Sequence, residues 1–498
     1  MTDLERPLVV PDMLRLRAKY YPDQVALRVD GRTELTYRDW ERGAYARARG
    51  LIELGLKPRQ RVGLVFGGMD WIDYVMSYLA VQNAGGTTIH LGEQVEPAEA
   101  LRRLEETDAV GVVLGRGRTA PEGFNGWVVR PGDLAGGHDD SPLSVGIGPE
   151  DLSDILYTSG TTGRGKALGV PHGNLTFGRA PDNFKHLGDP LPLMVPIPVC
   201  TTPSVTTSSI VLSTPATLVL SPPGDIERMA ELVEEYRIAS VMINPAIAHK
   251  LVRTNVHEKY DLSCVDTLGT AAAPLPPRIA RQLLEMFPGA KVNSAFTAAE
   301  AYTGVIVNTF DPAKPTSLGR PAPGSELRVT DEHGRPVPDG QLGWIWVGSQ
   351  APKRKYLFDH AQTARVQVGH WTWTGDLGRI GPDGDLMLFD RAVDAIRVGD
   401  ELVSTIEVEY ALYEHPAVME AAVMNVPQPD GTDAVGAALA LDDPTALPDV
   451  QALAARTLAP HQVPTRYLLV DELPRSVNAK VLKRYLRPRL AEVAPSGG

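Results

Sequence analysis

Apolar residues recur at helical spacing in the first third of the chain and alternate with short apolar runs. A segment that begins after Thr36 and ends near Gly55 places its apolar residues on one face: Trp40, Ala44, Ala48 and Leu51. Thr36 and Asp39 form a sequence pattern similar to a capping box, and the run 61–66 is typical of a buried strand. Helical patterns at 71–85 and 97–109 then alternate with strand patterns at 86–91 and 110–114. This alternation predicts a parallel sheet with helices on its faces.

The same alternation returns later in the chain. Strand patterns at 216–222, 240–246, 265–270 and 291–296 are separated by helical patterns, the clearest at 225–239 and 276–290. Between Leu318 and Leu388 the spacing changes to period two, with Gly, Pro and Asp at the breaks, which favours β-hairpins. After Asp390 a helix at 405–416, strands at 420–426 and 436–441 and a final helix predict a separate small α+β domain.

Composition and charge restrict the classes of partner. A chain of 498 residues is too long for a single hydrophobic core, so two or more domains are expected. Its content of 43% hydrophobic and 22% charged residues is typical of a soluble globular protein. A net charge of −12 argues against nucleic acid or an anionic membrane as a partner. Cys200 and Cys264 form no disulfide framework, the N-terminus lacks a signal-peptide pattern, and no apolar run is long enough to span a bilayer. We therefore expect a cytoplasmic protein.

The stretch 157–169, YTSGTTGRGKALG, contains G-x-x-x-x-G-K, the opening of a Walker-type loop. A P-loop needs a hydroxyl residue after the lysine and a helix behind it, but Ala167 follows Lys166, and Pro171 and Gly173 would break a helix. The stretch nevertheless offers phosphate-binding groups: the hydroxyls of Thr158, Ser159, Thr161 and Thr162, the backbone of Gly160 and Gly163, and the Lys166 ammonium. A Gly- and Thr-rich hairpin tip without a ligand is the alternative.

Four ordered segments resemble one enzyme family. They are 157–166, the W-T-W-T-G-D-L-G run at 371–378, the segment 390–409 and the lysine segment 473–487, and the stretch 319–343 agrees as well. Together they resemble the adenylate-forming enzymes, which include acyl-CoA synthetases, peptide-synthetase adenylation domains and firefly luciferase. The resemblance implies an α/β fold, with two doubly wound subdomains and a β-barrel-like subdomain in a large domain (1–389), and a small mobile α+β domain (390–498).

The resemblance also implies a reaction and a role for each motif. A carboxylate would attack the α-phosphorus of ATP, giving an acyl-adenylate and pyrophosphate, with the loop at 158–163 around the β- and γ-phosphates. Asp376 would accept hydrogen bonds from the ribose hydroxyls, and Arg391 would contact ribose or phosphate. Lys480 would stabilise the developing charge as the catalytic residue. Ordinary turn or surface positions are the alternatives for these three residues.

Further residues follow from the same alignment of motifs. Glu300 would hold Mg²⁺ between the phosphates, the alternative being a carboxylate at a helix N-terminus. Phe296 would stack on adenine, and the run 269–274 would line the nucleotide and substrate side through its backbone. The resulting assignments are ATP-binding for Ala272, Ala273 and Pro274, and substrate-binding for Ala271, Ala295, Val199 and Cys200.

Several positions depart from the family pattern. Ala299 replaces a threonine that touches the α-phosphate, and Pro198 and Val199 replace an aromatic and a histidine near the acyl pocket, which favours a small or aromatic acid over a long-chain one. Val393 stands at the hinge position, which is often charged. Asp400 replaces a glycine that lines the pantetheine tunnel in relatives that use CoA.

The sequence therefore predicts an ATP- and Mg²⁺-dependent ligase that adenylates a small or aromatic acid and then transfers it to CoA or another thiol. An amide-forming or carrier-protein ligase, and a member that adenylates nitrite for transfer to an aryl amine, stay open as alternatives. A non-catalytic scaffold is a further alternative, against which the joint presence of Lys166, Asp376, Arg391 and Lys480 argues.

Overall fold

The structure is a computed structural model that describes residues 6–143, 145–158, 165–428, 431–476 and 480–495. The α-helices of these residues are α1 (Val10–Tyr20), α2 (Tyr37–Glu53), α3 (Trp71–Asn83), α4 (Pro97–Glu106), α5 (Pro131–Ala135), α6 (His172–Leu175), α7 (Thr202–Ser213), α8 (Ile226–Tyr236), α9 (Pro245–Thr254), α10 (Pro277–Met286), α11 (His360–Val366), α12 (Thr405–Tyr413), α13 (Leu447–Thr457) and α14 (Lys483–Glu492). None of the helices within the described ranges is long and apolar enough to cross a membrane.

A nine-stranded sheet joins the beginning of the chain to its middle. Its strands are β1 (Val25–Val29), β2 (Thr33–Thr36), β9 (Leu191–Met194), β10 (Ala216–Leu220), β11 (Ser240–Ile243), β12 (Thr267–Thr270), β13 (Lys291–Phe296), β14 (Ile306–Thr309) and β15 (Arg320–Pro321). They lie in the order β15-β14-β13-β12-β11-β9-β10-β1-β2, and the pairings from β13 to β1 are parallel.

A seven-stranded sheet is formed mostly by the residues between β2 and β9, with one strand added from later in the chain. It contains β3 (Arg61–Phe66), β4 (Thr87–Gly92), β5 (Ala109–Leu114), β6 (Trp127–Val129), β7 (Leu152–Thr158), β8 (Lys166–Pro171) and β18 (Lys355–Tyr356), in the order β18-β8-β7-β4-β3-β5-β6. The pairings from β7 to β6 are parallel, whereas β7–β8 and β8–β18 are antiparallel. The two largely parallel sheets confirm the predicted α/β class.

The β-rich region predicted as a barrel-like subdomain forms a five-stranded antiparallel sheet. Its strands are β16 (Ser325–Thr330), β17 (Gly343–Ser349), β19 (Gln367–Val368), β20 (Trp371–Ile380) and β21 (Leu386–Arg391). The small C-terminal domain holds the β22 (Ile396–Val398) and β23 (Glu401–Val403) hairpin and a three-stranded sheet of β24 (Val418–Pro427), β25 (Asp433–Leu441) and β26 (Arg466–Leu469).

Local signals in the sequence explain where these elements begin. The Thr36 side chain accepts a hydrogen bond from the Asp39 backbone N–H at 3.1 Å, so the predicted capping interaction starts α2. The apolar face of α2 packs with α3 in the main core, where Trp40 and Trp71 are fully buried. A separate apolar core that includes Ile396, Val423 and Tyr467 stabilises the small domain.

Candidate active site

The predicted phosphate-binding stretch joins two antiparallel strands. Thr158 ends β7 opposite Lys166, which begins β8, so a strand rather than a P-loop helix follows the lysine. The Lys166 Nζ lies 3.4 Å from Asp359 Oδ2 and 5.5 Å from the centre of the Tyr356 ring. The predicted ligands Ser159, Gly160, Thr161, Thr162 and Gly163 lie outside the described residues.

Glu300 lies in the loop between β13 and β14, not at a helix N-terminus. Its carboxylate accepts a short hydrogen bond from the Tyr356 hydroxyl, and Tyr356 on β18 pairs with Leu168 on β8, the strand that Lys166 begins. The pKa of Tyr356 is raised, first by burial and then by the Glu300 charge, so the phenol stays protonated at neutral pH. Tyr356 thus links the strand that carries the loop to the predicted metal ligand, a connection that sequence reasoning missed.

Asp376 and Arg391 face each other across two strands. Asp376 does not occupy an ordinary turn: it lies inside β20, after Gly375 with φ +82°, and pairs in register with Arg391 on β21. The Arg391 Nε lies 3.6 Å from Asp376 Oδ1. Burial raises the pKa of Asp376 to about 6, while Arg391 and Lys480 act to lower it. This pair brings a partly desolvated carboxylate and a cation together.

Lys480 of the small domain lies near this pair. Its pKa is lowered, first by the loss of water around the ammonium group and then by the Arg391 charge, while the carboxylates of Asp376 and Glu300 oppose both effects. The structure therefore places Lys480, Asp376, Arg391 and Glu300 in one charged region.

The predicted nucleotide-side residues occupy one edge of the nine-stranded sheet. The segment 271–274 follows β12, and Ala295 and Phe296 end the neighbouring parallel strand β13. Because the carboxyl ends of adjacent parallel strands meet at one edge, these two segments lie side by side. Ala272 is exposed and has φ +80°, a conformation that an alanine rarely adopts, which makes it an unusual backbone position next to a proposed ligand site.

Val199 and Cys200 are both buried, as expected for a pocket wall. The Cys200 thiol donates to the Leu64 carbonyl at 3.0 Å, and burial raises its pKa to about 12. The thiol is therefore neutral at physiological pH and poorly suited to act as a nucleophile. A side chain at Gly92, the end of β4, would approach the backbone oxygens of Val199 and Cys200 at 3.3 and 3.1 Å, so this wall packs closely on the seven-stranded sheet.

A buried polar network behind this wall was not predicted. His90 Nε2 lies 2.7 Å from Asp154 Oδ1, and the Tyr74 hydroxyl lies 3.1 Å from both His90 Nδ1 and Ser204 Oγ. Burial alone would raise the pKa of Asp154, but hydrogen bonds from His90, Thr88 and Ser153 lower it overall. Ser204 caps α7 through Thr201, so the network fixes the start of that helix. The sequence did contain a signal for this network, because His90 and Asp154 each interrupt an apolar strand and a buried polar side chain needs a hydrogen-bond partner.

Glu300 is the carboxylate predicted to bind Mg²⁺. Within the described ranges, no group of three or more His, Cys, Asp or Glu side chains could hold a metal ion by itself. Mg²⁺ in nucleotide sites is commonly bound by one or two carboxylates together with phosphate oxygens and water. Glu300 is a single carboxylate on the same tyrosine, Tyr356, that the Lys166 ammonium approaches, and it fits that mode of binding.

Comparisons with known proteins agree with this architecture. The AMP-binding enzyme family matches residues 14–357, and the AMP-binding enzyme C-terminal domain matches residues 407–480. A feruloyl-CoA synthase from Amycolatopsis is 28% identical over 489 residues, covering 95% of this chain and 97% of the relative. The phosphinothricin tripeptide synthetase PhsC from Streptomyces viridochromogenes is 30% identical, covering 97% of this chain and 45% of the synthetase.

Solved structures show the same fold. An anthranilate CoA ligase, AuaEII, in complex with anthranoyl-AMP superposes with a TM-score of 0.86 at 20% identity, covering 98% of this chain and 99% of that one. The amide bond synthetase McbA from Marinactinospora thermotolerans gives 0.81 at 24% identity, with coverage of 96% and 99%. Since the family matches span most of the chain, the protein belongs to the AMP-binding enzyme family of adenylate-forming ligases and is an ATP-dependent, AMP-forming ligase.

Proposed function

We propose that this ligase activates a small or aromatic carboxylic acid as an acyl-adenylate, releases pyrophosphate and transfers the acyl group to CoA or another thiol. The observation that carries the proposal is the pairing of Asp376 with Arg391 on adjacent strands, 3.6 Å apart. The charges of both residues, and that of Glu300, act on the pKa of Lys480. Asp376 and Glu300 belong to the large domain, whereas Arg391 and Lys480 belong to the proposed small domain.

The charged groups have complementary roles in this proposal. Asp376 accepts hydrogen bonds from both ribose hydroxyls, and Arg391 keeps its carboxylate ionised and contacts the nucleotide. Lys166 and the loop residues Thr158, Ser159, Gly160, Thr161, Thr162 and Gly163 bind the β- and γ-phosphates. Lys480 stabilises the negative charge that develops between the acid and the α-phosphate, because phosphoryl transfer depends mainly on positioning and charge neutralisation.

Glu300 is the proposed Mg²⁺ ligand, and the metal would neutralise phosphate charge. The hydrogen bond from Tyr356 holds this carboxylate in place beside β8, the strand that begins at Lys166. Phe296 and the segment 271–274 form the proposed adenine side at the edge of the nine-stranded sheet. Val199, Cys200, Ala271 and Ala295 are the proposed acid-side residues.

The restricted wall at Val199 and Cys200 supports the choice of a small or aromatic acid. Both side chains are buried, and Gly92 leaves no room for the wall to move back against β4. A long acyl chain would need space at this wall, whereas a compact acid needs only the volume beside it. Feruloyl-CoA synthase and an anthranilate CoA ligase, both named for aromatic acids, are similar to this chain.

The domain boundary at 389/390 belongs to the same proposal. Asp390 is buried and its carboxylate accepts a hydrogen bond from the Thr405 backbone N–H at 2.5 Å, whereas the neighbouring Val393 is 61% exposed. A buried anchor next to an exposed turn is a suitable arrangement for a hinge. The Gly399–Asp400 turn between β22 and β23 is exposed, so rotation about the hinge could bring it to the site for transfer.

Product analysis tests the proposed function. The protein is incubated with ATP, Mg²⁺ and a panel of small aliphatic and aromatic acids, with and without CoA, and separately with nitrite and an aryl amine. AMP and pyrophosphate that form with an aromatic acid, with turnover stimulated by CoA, are the expected products. If AMP release requires an amine, the acceptor is an amine and not a thiol. If AMP release requires nitrite, the adenylated substrate is nitrite and not a carboxylic acid. ADP and inorganic phosphate without AMP would overturn adenylation altogether.

A further inference from the structure

The large domain binds the end of a helix in the small domain. Arg278, in the first turn of α10, donates from Nη1 to the backbone carbonyls of Tyr413 at 3.3 Å and His415 at 3.2 Å. These carbonyls lie at the C-terminal end of α12, where helical hydrogen-bonding partners run out and the helix dipole is negative. Arg278 therefore caps a helix of the other domain with a positive charge.

Two further contacts surround this cap. Arg281 Nη2 lies 2.7 Å from both carboxylate oxygens of Glu414, and the His249 ring lies 5.0 Å from the Tyr413 ring. His249 is 6% exposed and Tyr413 is 5% exposed, so both rings of the pair are buried. We refer to Arg278, Arg281 and His249 with Tyr413, Glu414 and His415 as the interdomain latch.

Helix α12 connects the latch to the segment that carries Lys480. Lys483, three residues after Lys480, contacts the start and the middle of α12: its Nζ lies 3.3 Å from Thr405 Oγ1 and 3.4 Å from Glu409 Oε1. Burial alone would lower the pKa of Lys483, but the carboxylates of Glu409, Asp394 and Asp390 raise it, so it is charged and paired. A displacement of α12 at the latch would therefore be transmitted to Lys480.

The interface around the latch is incompletely packed. A cavity of about 290 Å³ separates the domains beside it, lined by His249, Arg278, Val418 and Asp442 among others. The Arg281–Glu414 pair is 39% and 45% exposed, and exposed ion pairs of this kind contribute little stability. The interface thus combines specific contacts with incomplete packing, as expected for a reversible contact between domains.

We propose that Arg278 and Arg281 are positioning residues that hold the small domain in the orientation in which Lys480 enters the adenylation site. The inference rests on the proposed function, because it assigns the latch to the first of two steps. The latch would have to release before the small domain could present a different surface for acyl transfer. The side-chain contacts of both arginines are with the C-terminal end of α12, so in this proposal they act through that helix.

Hydrogen exchange tests the latch without any acid substrate. Arg278→Ala should increase the exchange rate of the backbone amides of α12 about 5- to 30-fold, since one lost charge-assisted contact corresponds to roughly that factor. Arg38→Ala is the matched control, because Arg38 forms an exposed pair with Asp23 within the large domain at 2.9 Å. Unchanged exchange in α12 would overturn the latch, whatever the enzyme's reaction is.

Kinetics tests the assignment to adenylation. With an acid that supports pyrophosphate exchange, Arg278→Ala should slow pyrophosphate exchange about 5- to 30-fold, with Arg278→Lys intermediate. Arg281→Ala should slow it less than about 5-fold, because its ion pair is exposed. All three variants should leave consumption of supplied acyl-adenylate unchanged or faster. Equal losses in both steps, or none, would overturn the positioning role. If the wild-type protein forms no AMP with any acid, the proposed function fails. The hydrogen-exchange experiment then decides by itself whether the latch exists.

Discussion

The Asp376 side chain is 13% exposed, and burial raises its pKa to about 6 against the opposing effects of Arg391 and Lys480. An ordinary Asp has a pKa of about 3.9. A carboxyl group with a raised pKa favours the folded state in its protonated form. Its contribution is therefore complete below pH ~4 and is lost as the pH rises through about 6. At neutral pH the ionised carboxylate is a cost to folding that a ligand-binding role would explain.

We predict that adenosine binding depends on the ionisation of Asp376. The dissociation constant should be about tenfold larger near pH ~5 than near pH ~7.5, because only about a tenth of the carboxylate is then ionised. Adenosine is a suitable probe because it carries no phosphate that titrates in the same range. Calorimetry over this range with the wild-type protein checks the prediction.

The variant Asp376→Asn provides the control. It should bind adenosine weakly at every pH and raise the free energy of unfolding of the large domain at neutral pH by up to about 3 kcal/mol, the equivalent of its two-unit shift. A variant that keeps the pH dependence of the wild-type protein would assign that dependence to another group.

At the scale of elements, the contact between α2 and α5 requires a glycine. A side chain at Gly50 would place its Cβ 2.5 Å from the Leu134 carbonyl oxygen, which is backbone and has little freedom to move. At Gly43 in the same helix the nearest atom is Met76 Sδ at 2.8 Å, the end of a flexible side chain. The two glycines lie in the same helix, but a side chain would meet rigid backbone at Gly50 and a flexible side chain at Gly43.

We predict that Gly50→Ala lowers the free energy of unfolding of the large domain by about 1–3 kcal/mol, although alanine favours a helix. Gly43→Ala should stay within about 1 kcal/mol of the wild-type protein, because Met76 can move and the helix gains propensity. Thermal unfolding of both variants provides the comparison. A larger loss at Gly43 than at Gly50 would contradict the argument.

Elements with strong periodic patterns could be predicted from sequence. The strand at Arg61–Phe66 and the helices beginning after Thr36 and at Trp71 agree with the pattern, because apolar spacing and caps act locally. Helix α7 was missed because its sequence, TPSVTTSSIVLS, is rich in Ser, Thr and Val, which are weak helix formers. Its helical state depends on burial and on the Tyr74–Ser204 contact.

The candidate site was predictable as motifs and not as contacts. Asp376 and Arg391 were both chosen from sequence, but their opposition depends on the register of β20 and β21, which no local pattern specifies. Tyr356 and the latch residues were missed for the same reason, since their partners are remote in the chain. The predicted loop ligands at 159–163 remain predictions.

At the scale of the whole molecule, the site depends on two domains meeting. We predict that Lys480→Ala lowers the rate of ATP–pyrophosphate exchange by at least about 100-fold, the usual effect of removing one charge-stabilising group, while nucleotide binding changes little. Exchange kinetics and calorimetry on the same preparation separate the two effects. Near wild-type exchange would remove Lys480 from the mechanism, and lost nucleotide binding would make its role structural.

The pairing of β1 with β10 also constrains how the protein is made. Leu27 lies beside Leu218 in the nine-stranded sheet, and the whole seven-stranded sheet except β18 is encoded between them. At about 5–20 residues per second, a ribosome needs roughly ten to forty seconds to produce that interval. During this time β10 has not yet been synthesised, so the edge of β1 that pairs with it is exposed and a chaperone can bind there. Translation speed across this interval should therefore affect the yield of folded protein.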